Sequence, residues 1–349
     1  MRISEFGGEN AVIKLIESKY GELADDRVVV GFGDDAALLR MGNDKLLIVT
    51  TDLLVEGTHF RRDIIDPYSL GWKSAAVNIS DIAAMGGVPT WAFVSIALPD
   101  IDVSFVESLY EGMNAVSSKF GSRIIGGDTN RVDGNIVINV TQLGEVEEEY
   151  AALRKTAKPG DRILVTGTLG DSLAGFKLLD KLGLESARRD HPQVVEHHIR
   201  PIPRIPEARA AVRTGAVRAM MDISDGLAID LGKMCEASGI GAKVYADRLP
   251  VSDALRAAAD ALGVDPISLA ASGGEDYELL IAAAPSEAET LAKTVEDATG
   301  TTVSDIGEFV GGSGAFLLQQ DGQETPLSAG WTHFSLTCQL FALKQQKKR

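Results

Sequence analysis

Apolar runs in this chain end repeatedly in an acid set beside Gly, Ser or Thr. The pattern occurs at Gly33-Asp34-Asp35, Thr50-Thr51-Asp52, Ser80-Asp81, Gly126-Gly127-Asp128, Asp222-Ile223-Ser224-Asp225 and Gly274-Glu275-Asp276. One acidic turn is ordinary turn chemistry, because Asp and Gly are favoured where a chain reverses. Recurrence constrains far more. Stretches such as "RVVVGFGDD", "KLLIVTTD" and "SRIIGGD" read as short strands running into turn formers. Strand ends in a layered structure converge on one rim, so these carboxylates gather there. Carboxylates brought together repel one another and need cations or protons.

Between the strands lie helical patterns, as in "SLGWKSAAVNISDIAAMG" and "VSFVESLYEGMNAVSSKFG". The alternation is not a strict βαβ repeat, which points to α+β layers and away from a Rossmann sheet. A chain of 349 residues is long for one core and predicts two mixed α/β domains. The acidic run "EVEEEY" and the turn "KTAKPGD" mark the junction, after which strand, Gly turn and helix restart at "RILVTGTLGDSLAGFKLLDKLG". The expected domains are 1–148 and 149–349.

The net charge of −16 disfavours nucleic acid as a partner, since nucleic-acid binders present a basic face. Two cysteines, Cys235 and Cys338, make neither a disulfide framework nor a paired-Cys zinc site. No apolar stretch is long enough for a membrane span, and no apolar leader opens the chain. A cytoplasmic protein is expected.

Hard oxygen ligands beside small residues suit Mg²⁺. In "MMDISDGLAIDL", a helix cap by Ser224 or Asp225 would also explain the acids. Recurrence elsewhere favours a site for several Mg²⁺ ions. HExxH is absent, which argues against zinc, and the EF-hand register is absent, which argues against calcium sensing. An acidic pocket binds polyphosphate only if metal reverses its sign. No GxxxxGK[ST] loop occurs, although the turn Gly167 to Ser172 could offer backbone N–H groups at a helix start. Arg154, Lys73 and Arg131 are candidate basic helpers. His59, in "VEGTHF", is either structural or a substrate contact. Trp331, in "AGWTHF", is either core or a stacking surface for a flat ring.

Taken in order, "GFGDDAALL", "VTTDLLVEGTHF", "WKSAAVNISDIAAMGGVP", "IIGGDTNR", "AKPGDRILVTGTLGDSLAG", "MDISDGLAIDL" and "SGGEDYELL" resemble the thiamine-monophosphate kinase family, within the aminoimidazole ribonucleotide synthetase-like superfamily. The resemblance runs from about Glu5 to Phe334. It implies a two-domain α+β fold in which the first domain binds ATP and Mg²⁺ and forms a homodimer. It implies phosphorylation of thiamine phosphate to thiamine diphosphate by ATP. By resemblance, Asp34, Asp35, Thr50, Thr51, Asp52, Asp81, Asp128, Asp222 and Asp225 are Mg²⁺ ligands. Tyr110, Gly127, Asp128, Arg154 and Ser224 fall on ATP-contacting positions, and His59, Glu275 and Trp331 on substrate-contacting ones. No general base is expected, because a phosphate monoester with a second pKa of about 6 is already largely ionised at neutral pH. Two other readings stay open: an aminoimidazole ribonucleotide synthetase-like enzyme and a non-catalytic Mg²⁺-nucleotide sensor.

Overall fold

The computed structural model describes residues 3–6, 8–21, 25–42 and 44–327. Two short helices, α1 (Ile3–Phe6) and α2 (Gly8–Tyr20), lead into the first sheet. Its strands are β1 (Val28–Val30), β2 (Ala37–Arg40), β3 (Lys45–Val55), β4 (Val88–Leu98), β5 (Arg123–Arg131) and β6 (Val137–Glu147), in the spatial order β1-β2-β3-β6-β4-β5. Helices α3 (Pro67–Ala84) and α4 (Val103–Lys119) cover one face. Asp66 caps α3 by accepting from Ser69 N–H at 2.9 Å, and Pro67 follows at a position where its missing N–H costs nothing. The two helices meet closely through paired glycines. A Cβ on Gly71 would lie 1.8 Å from the Leu109 carbonyl oxygen, and one on Gly112 would lie 1.9 Å from that of Tyr68.

Strand alternation divides the first sheet into two unlike faces. Along β3, Leu46, Ile48 and Leu54 turn inward with Thr50 and are buried, whereas Thr51 and Leu53 turn outward. The register places Thr51 opposite Thr141, Thr141 opposite Phe93, and Ser95 beside Asp128. No helix among the described residues is long and apolar enough to cross a membrane.

The second sheet contains β7 (Arg162–Thr166), β8 (Val217–Asp222), β9 (Gly241–Tyr245), β10 (Leu279–Ala283), β11 (Val303–Val310), β12 (Gly314–Leu318) and β13 (Glu324–Pro326). Its order is β13-β12-β9-β11-β7-β10-β8. Around it lie α5 (Asp171–Leu182), α6 (Leu184–Asp190), α7 (Pro192–Ile199), α8 (Ile205–Arg213), α9 (Leu227–Ser238), α10 (Asp253–Leu262), α11 (Pro266–Ser272) and α12 (Ala288–Thr299). All five residues of β10 are buried, as its apolar sequence Leu279–Ala283 requires for a central strand. Both sheets are mixed and carry helices of their own, which is the α+β class expected from the sequence. The two halves pack against each other where α3 meets β8. Arg209 fastens that contact by donating to the Gly86 carbonyl at 2.6 Å and to Glu147 at 2.7 Å.

Candidate active site

The acids of the first half and of the second half meet at this junction. The loop between β1 and β2 brings in Asp34 and Asp35. The inward face of β3 adds Thr50 and Asp52, α3 adds Asp81, and the end of β8 adds Asp222. Thr50 Oγ1 donates to Asp81 at 2.5 Å, and Ser80 Oγ donates across the junction to Asp222 at 2.6 Å. Asn78, also on α3, accepts from Asp52 N–H at 3.0 Å. Three residues within about one turn of α3, Asn78, Ser80 and Asp81, therefore address three parts of the cluster.

Too few cations serve these carboxylates. Arg154, from the connection between the sheets, lies 2.5 Å from Asp35 and 3.4 Å from Asp34. Lys233 of α9 lies 2.6 Å from Asp225 and 2.8 Å from Asp230. Burial pushes the Asp35 carboxyl up to about 7, with Arg154 opposing and Asp34 adding to the rise. Burial, then Asp225, pushes Asp52 up to about 6. Asp81 and Asp222 stand well above the usual carboxylate range, again through burial first; Asp52 and Asp222 add to the rise at Asp81, and Asp35 at Asp222. Asp35 Oδ2 is buried with no hydrogen-bond partner. As the side chains stand, no three of the described His, Cys, Asp or Glu residues converge on one metal position. Several of their oxygens are turned instead onto Arg154, Lys233, Thr50 and Ser80.

The turn after β8 answers the question of the helix cap. Gly226 occupies the cap position of α9 with no side-chain bond, and Asp230 folds back to accept from the N–H groups of Asp225 and Gly226 at 2.9 and 3.0 Å. Neither Ser224 nor Asp225 caps the helix. The same turn pairs with the "GGEDYE" segment: Glu275 N–H donates to Ser224 O at 2.7 Å and Tyr277 N–H to Ile223 O at 2.9 Å. Glu275 and Tyr277 hold φ of 65° and 53°, a conformation costing about 1–3 kcal/mol for such residues and kept only where the surroundings impose it.

Here Glu275 enters a second, different setting. Lys73 Nζ lies 2.8 Å from its Oε1, and His198 Nδ1 lies 3.4 Å from its Oε2. Burial pushes Glu275 upward, yet Lys73, His198 and His59 together hold it below the usual range. Burial and then Lys73 push His198 down to about 3, with Glu275 opposing. A cavity opens beside this pair, lined by His59, Phe60, Arg61, Lys73, Phe176 and His198 among others. His59 Nδ1 accepts from Val55 N–H at 3.0 Å, which fixes its ring at the cavity wall.

Other expected residues go elsewhere. Thr51 bonds on the outer face of the first sheet, donating to Val140 O at 3.2 Å. Asp128 sits exposed on the edge strand β5 on that same face, accepting from Asn130 at 2.6 Å. Gly127 lets β5 approach β4, since a Cβ there would lie 1.8 Å from the Val94 carbonyl oxygen. Tyr110 is half-buried on α4. Trp331 lies outside the described residues. Two of the basic helpers are not beside the acids: Arg131 pairs with exposed Asp133 at 3.0 Å, and Lys73 is committed to Glu275. The turn Gly167 to Ser172 is not an open anion site either. Asp276 accepts its N–H groups, from Gly170 at 2.7 Å and Ser172 at 3.2 Å. His198 carries no local sequence signal that marks it as a partner of Glu275. Its helix α7 was not anticipated, although Pro192 at its first turn was a usable signal.

Two mixed sheets joined through a rim of buried acids define the class. Residues 33–146 match the model of the AIR synthase related protein N-terminal domain, and residues 158–318 that of its C-terminal domain. Within that class the chain belongs to the thiamine-monophosphate kinase family. It is 41% identical to thiamine-monophosphate kinase of Salmonella typhimurium over 252 residues, 72% of this chain and 75% of that protein. It is 34% identical to the Aquifex aeolicus enzyme of the same name over 333 residues, 95% of this chain and 98% of that one. The solved structure of AaThiL complexed with AMPPCP and TMP superposes with a TM-score of 0.82 at 34% identity, over 95% of this chain and 99% of that one.

Proposed function

We infer that the chain is an ATP-dependent kinase that phosphorylates thiamine phosphate to thiamine diphosphate. The observation that carries this reading is the adjoining of two unlike sites: a cation-poor cluster of acids and, on the next turn, an ionised Glu275 whose partners Lys73 and His198 line a cavity. The first suits phosphates accompanied by metal, the second an organic cation. The acceptor is itself an anion at neutral pH, with a second pKa of about 6, so no side chain need remove a proton. The obstacle is repulsion between donor and acceptor phosphates.

Mg²⁺ fits the inner cluster on the chemistry of its donors: hard oxygens only, charge in excess of the available cations, and one buried carboxylate oxygen without a partner. Asp35, Asp52, Asp81, Asp222 and Asp225 would hold it, with Asp34 and Thr50 supporting. Bound there, Mg²⁺ supplies neutralisation of the phosphate charges and alignment for in-line transfer. Arg154, between Asp34 and Asp35, is suited to meet a nucleotide phosphate once those acids are neutralised. Ser224 and Tyr110 are retained as nucleotide contacts, and His59 and Glu275 as acceptor contacts. The division at 148/149 is supported by its position between β6 and β7. ATP as co-substrate suits a cytoplasmic setting.

The enzyme works as a homodimer in this reading. Leu53, Trp91, Phe93 and Ile125 are 52%, 45%, 41% and 55% exposed on the strands of the first sheet, and large apolar side chains gathered there call for cover. A second copy supplies it, and Thr51, Gly127 and Asp128 then lie at or beside the interface, where they can serve a metal and nucleotide on that side. Phe93→Glu should convert dimer to monomer in sedimentation equilibrium; a wild-type chain that sediments as a monomer defeats the assignment.

The decisive assay mixes protein, ATP, Mg²⁺ and thiamine phosphate and separates the products by chromatography. Thiamine diphosphate formation abolished by EDTA is the expected result. Nucleotide binding with no diphosphate formed would sink the reading.

A further inference from the structure

Lys73 belongs to both sites through one helix. It is 1% exposed, deep between α3 and the second half, and its ion pair is with Glu275 at 2.8 Å. A buried ammonium is retained only with a partner that offsets its lost hydration. Glu275 keeps 34% of its side chain accessible, so the carboxylate is anchored at one oxygen while still facing outward. His198 Nδ1 lies 3.4 Å from the second oxygen of Glu275 and is hydrogen-bonded to Ser172 Oγ at 3.1 Å. Ser80 and Asp81 follow Lys73 on α3 by two helical turns, hence on the same side of the helix. The separation along the axis is about 12 Å. One rigid element thus carries the anchor of Glu275 at one end and a member of the acidic cluster at the other.

We propose that Lys73 is a positioning residue for acceptor recognition, fixing the Glu275 carboxylate where it meets the cationic ring of thiamine phosphate while α3 sets the distance from that contact to the phosphate-serving acids. The inference rests on the kinase reading above. Lys73 acts through Glu275; it makes no contact with the phosphate.

The test is steady-state kinetics on the full chain with Lys73→Met, Lys73→Arg, Glu275→Gln and the Lys73→Met/Glu275→Gln double variant. Loss of one charge-assisted contact predicts a KM for thiamine phosphate about ten- to hundredfold higher in Lys73→Met, with the KM for ATP unchanged. Lys73→Arg should recover part of the loss. The double variant should be no worse than Glu275→Gln alone, because the lysine has nothing left to position. That last comparison stands even if Lys73→Met alone fails to fold, since the double variant removes both buried charges together. An unchanged acceptor KM in Lys73→Met overturns the proposal. So does a double variant much weaker than Glu275→Gln, which would mean that Lys73 touches the substrate itself. Wild-type protein inert toward thiamine phosphate would instead defeat the functional reading, a result distinguishable from either.

Discussion

Two groups of buried carboxylates lie on neighbouring turns of this molecule and titrate in opposite directions. Asp35, Asp52, Asp81 and Asp222 are raised, the first two to about 7 and about 6, whereas Glu275 is lowered. Burial acts upward on all of them, although Glu275 keeps 34% of its side chain accessible against 7% for Asp35. The second difference is cations. Glu275 has Lys73 at 2.8 Å to itself, while Arg154 and Lys233 are shared among Asp34, Asp35, Asp225 and Asp230. A carboxylate that brings its own lysine is held ionised and in place as folded. A site short of positive charge is built to be completed from solution.

The largest effect should come from removing an acid of the unfinished site. Asp222→Asn takes away one carboxylate at the end of β8 while leaving a polar group for Ser80 to meet. Metal-assisted charge stabilisation is worth several kcal/mol, so turnover should fall by about a thousandfold. Metal-free thermal stability at neutral pH should rise, because the repulsion ends. A variant with near-normal turnover would remove Asp222 from the machinery.

Next in size is the response of stability to pH. Raised carboxyls hold protons in the native state that the unfolded chain gives up at about pH 4. Between that value and the folded pKa of about 7 for Asp35, the native state binds more protons, so stability falls as pH rises. Without metal, the acidic cluster should make the protein melt earlier at pH 8 than at pH 5.5. Mg²⁺ at a hundredfold excess over its dissociation constant should raise the melting temperature at pH 8 by on the order of 5 °C. The gain at pH 5.5 should be smaller. Glu275 runs the other way: its lowered pKa gives stability that is present at neutral pH and is lost only on acidification. Equal Mg²⁺ shifts at both pH values, in scanning calorimetry, would break the contrast between the two regions.

Part of this arrangement was legible in the sequence. The acids announced themselves through Gly, Ser and Thr neighbours, and a helix, α9 (Leu227–Ser238), does follow the turn in "MMDISDGLAIDL". The strand–turn–helix at "GTLGDS" was legible as geometry but not as chemistry. Its amides are already taken by Asp276, which is distant in sequence, and such pairing leaves no local pattern. Lys73 stood out as a candidate basic helper, but its pairing with Glu275 was hidden for the same reason. On α3 it reads as one more polar residue among alanines, and only the packing of the second half against α3 shows that it is buried. The split of Thr50 from Thr51 was within reach, since period two alone sends neighbours on a strand to opposite faces.

That split carries the smallest prediction. Thr50 holds Asp81 on the inner face, so Thr50→Val strips a buried carboxylate of its donor. Thr51 bonds to Val140 O and lies 3.1 Å from Thr141 Oγ1 on the outer face, where loss of a hydroxyl exposed to solvent changes stability by less than about 1 kcal/mol. Thr51→Val should therefore leave the pH dependence of melting as it is in the wild type. If the outer pair, Thr51 and Asp128, serves a metal at the dimer face, turnover should still fall, by up to about tenfold. Asp128→Asn should do the same without touching the inner cluster's response to Mg²⁺. Should Thr51→Val instead reshape the pH profile of stability, the two faces of β3 would not be electrostatically separate, and the cluster would have to be redrawn through the strand.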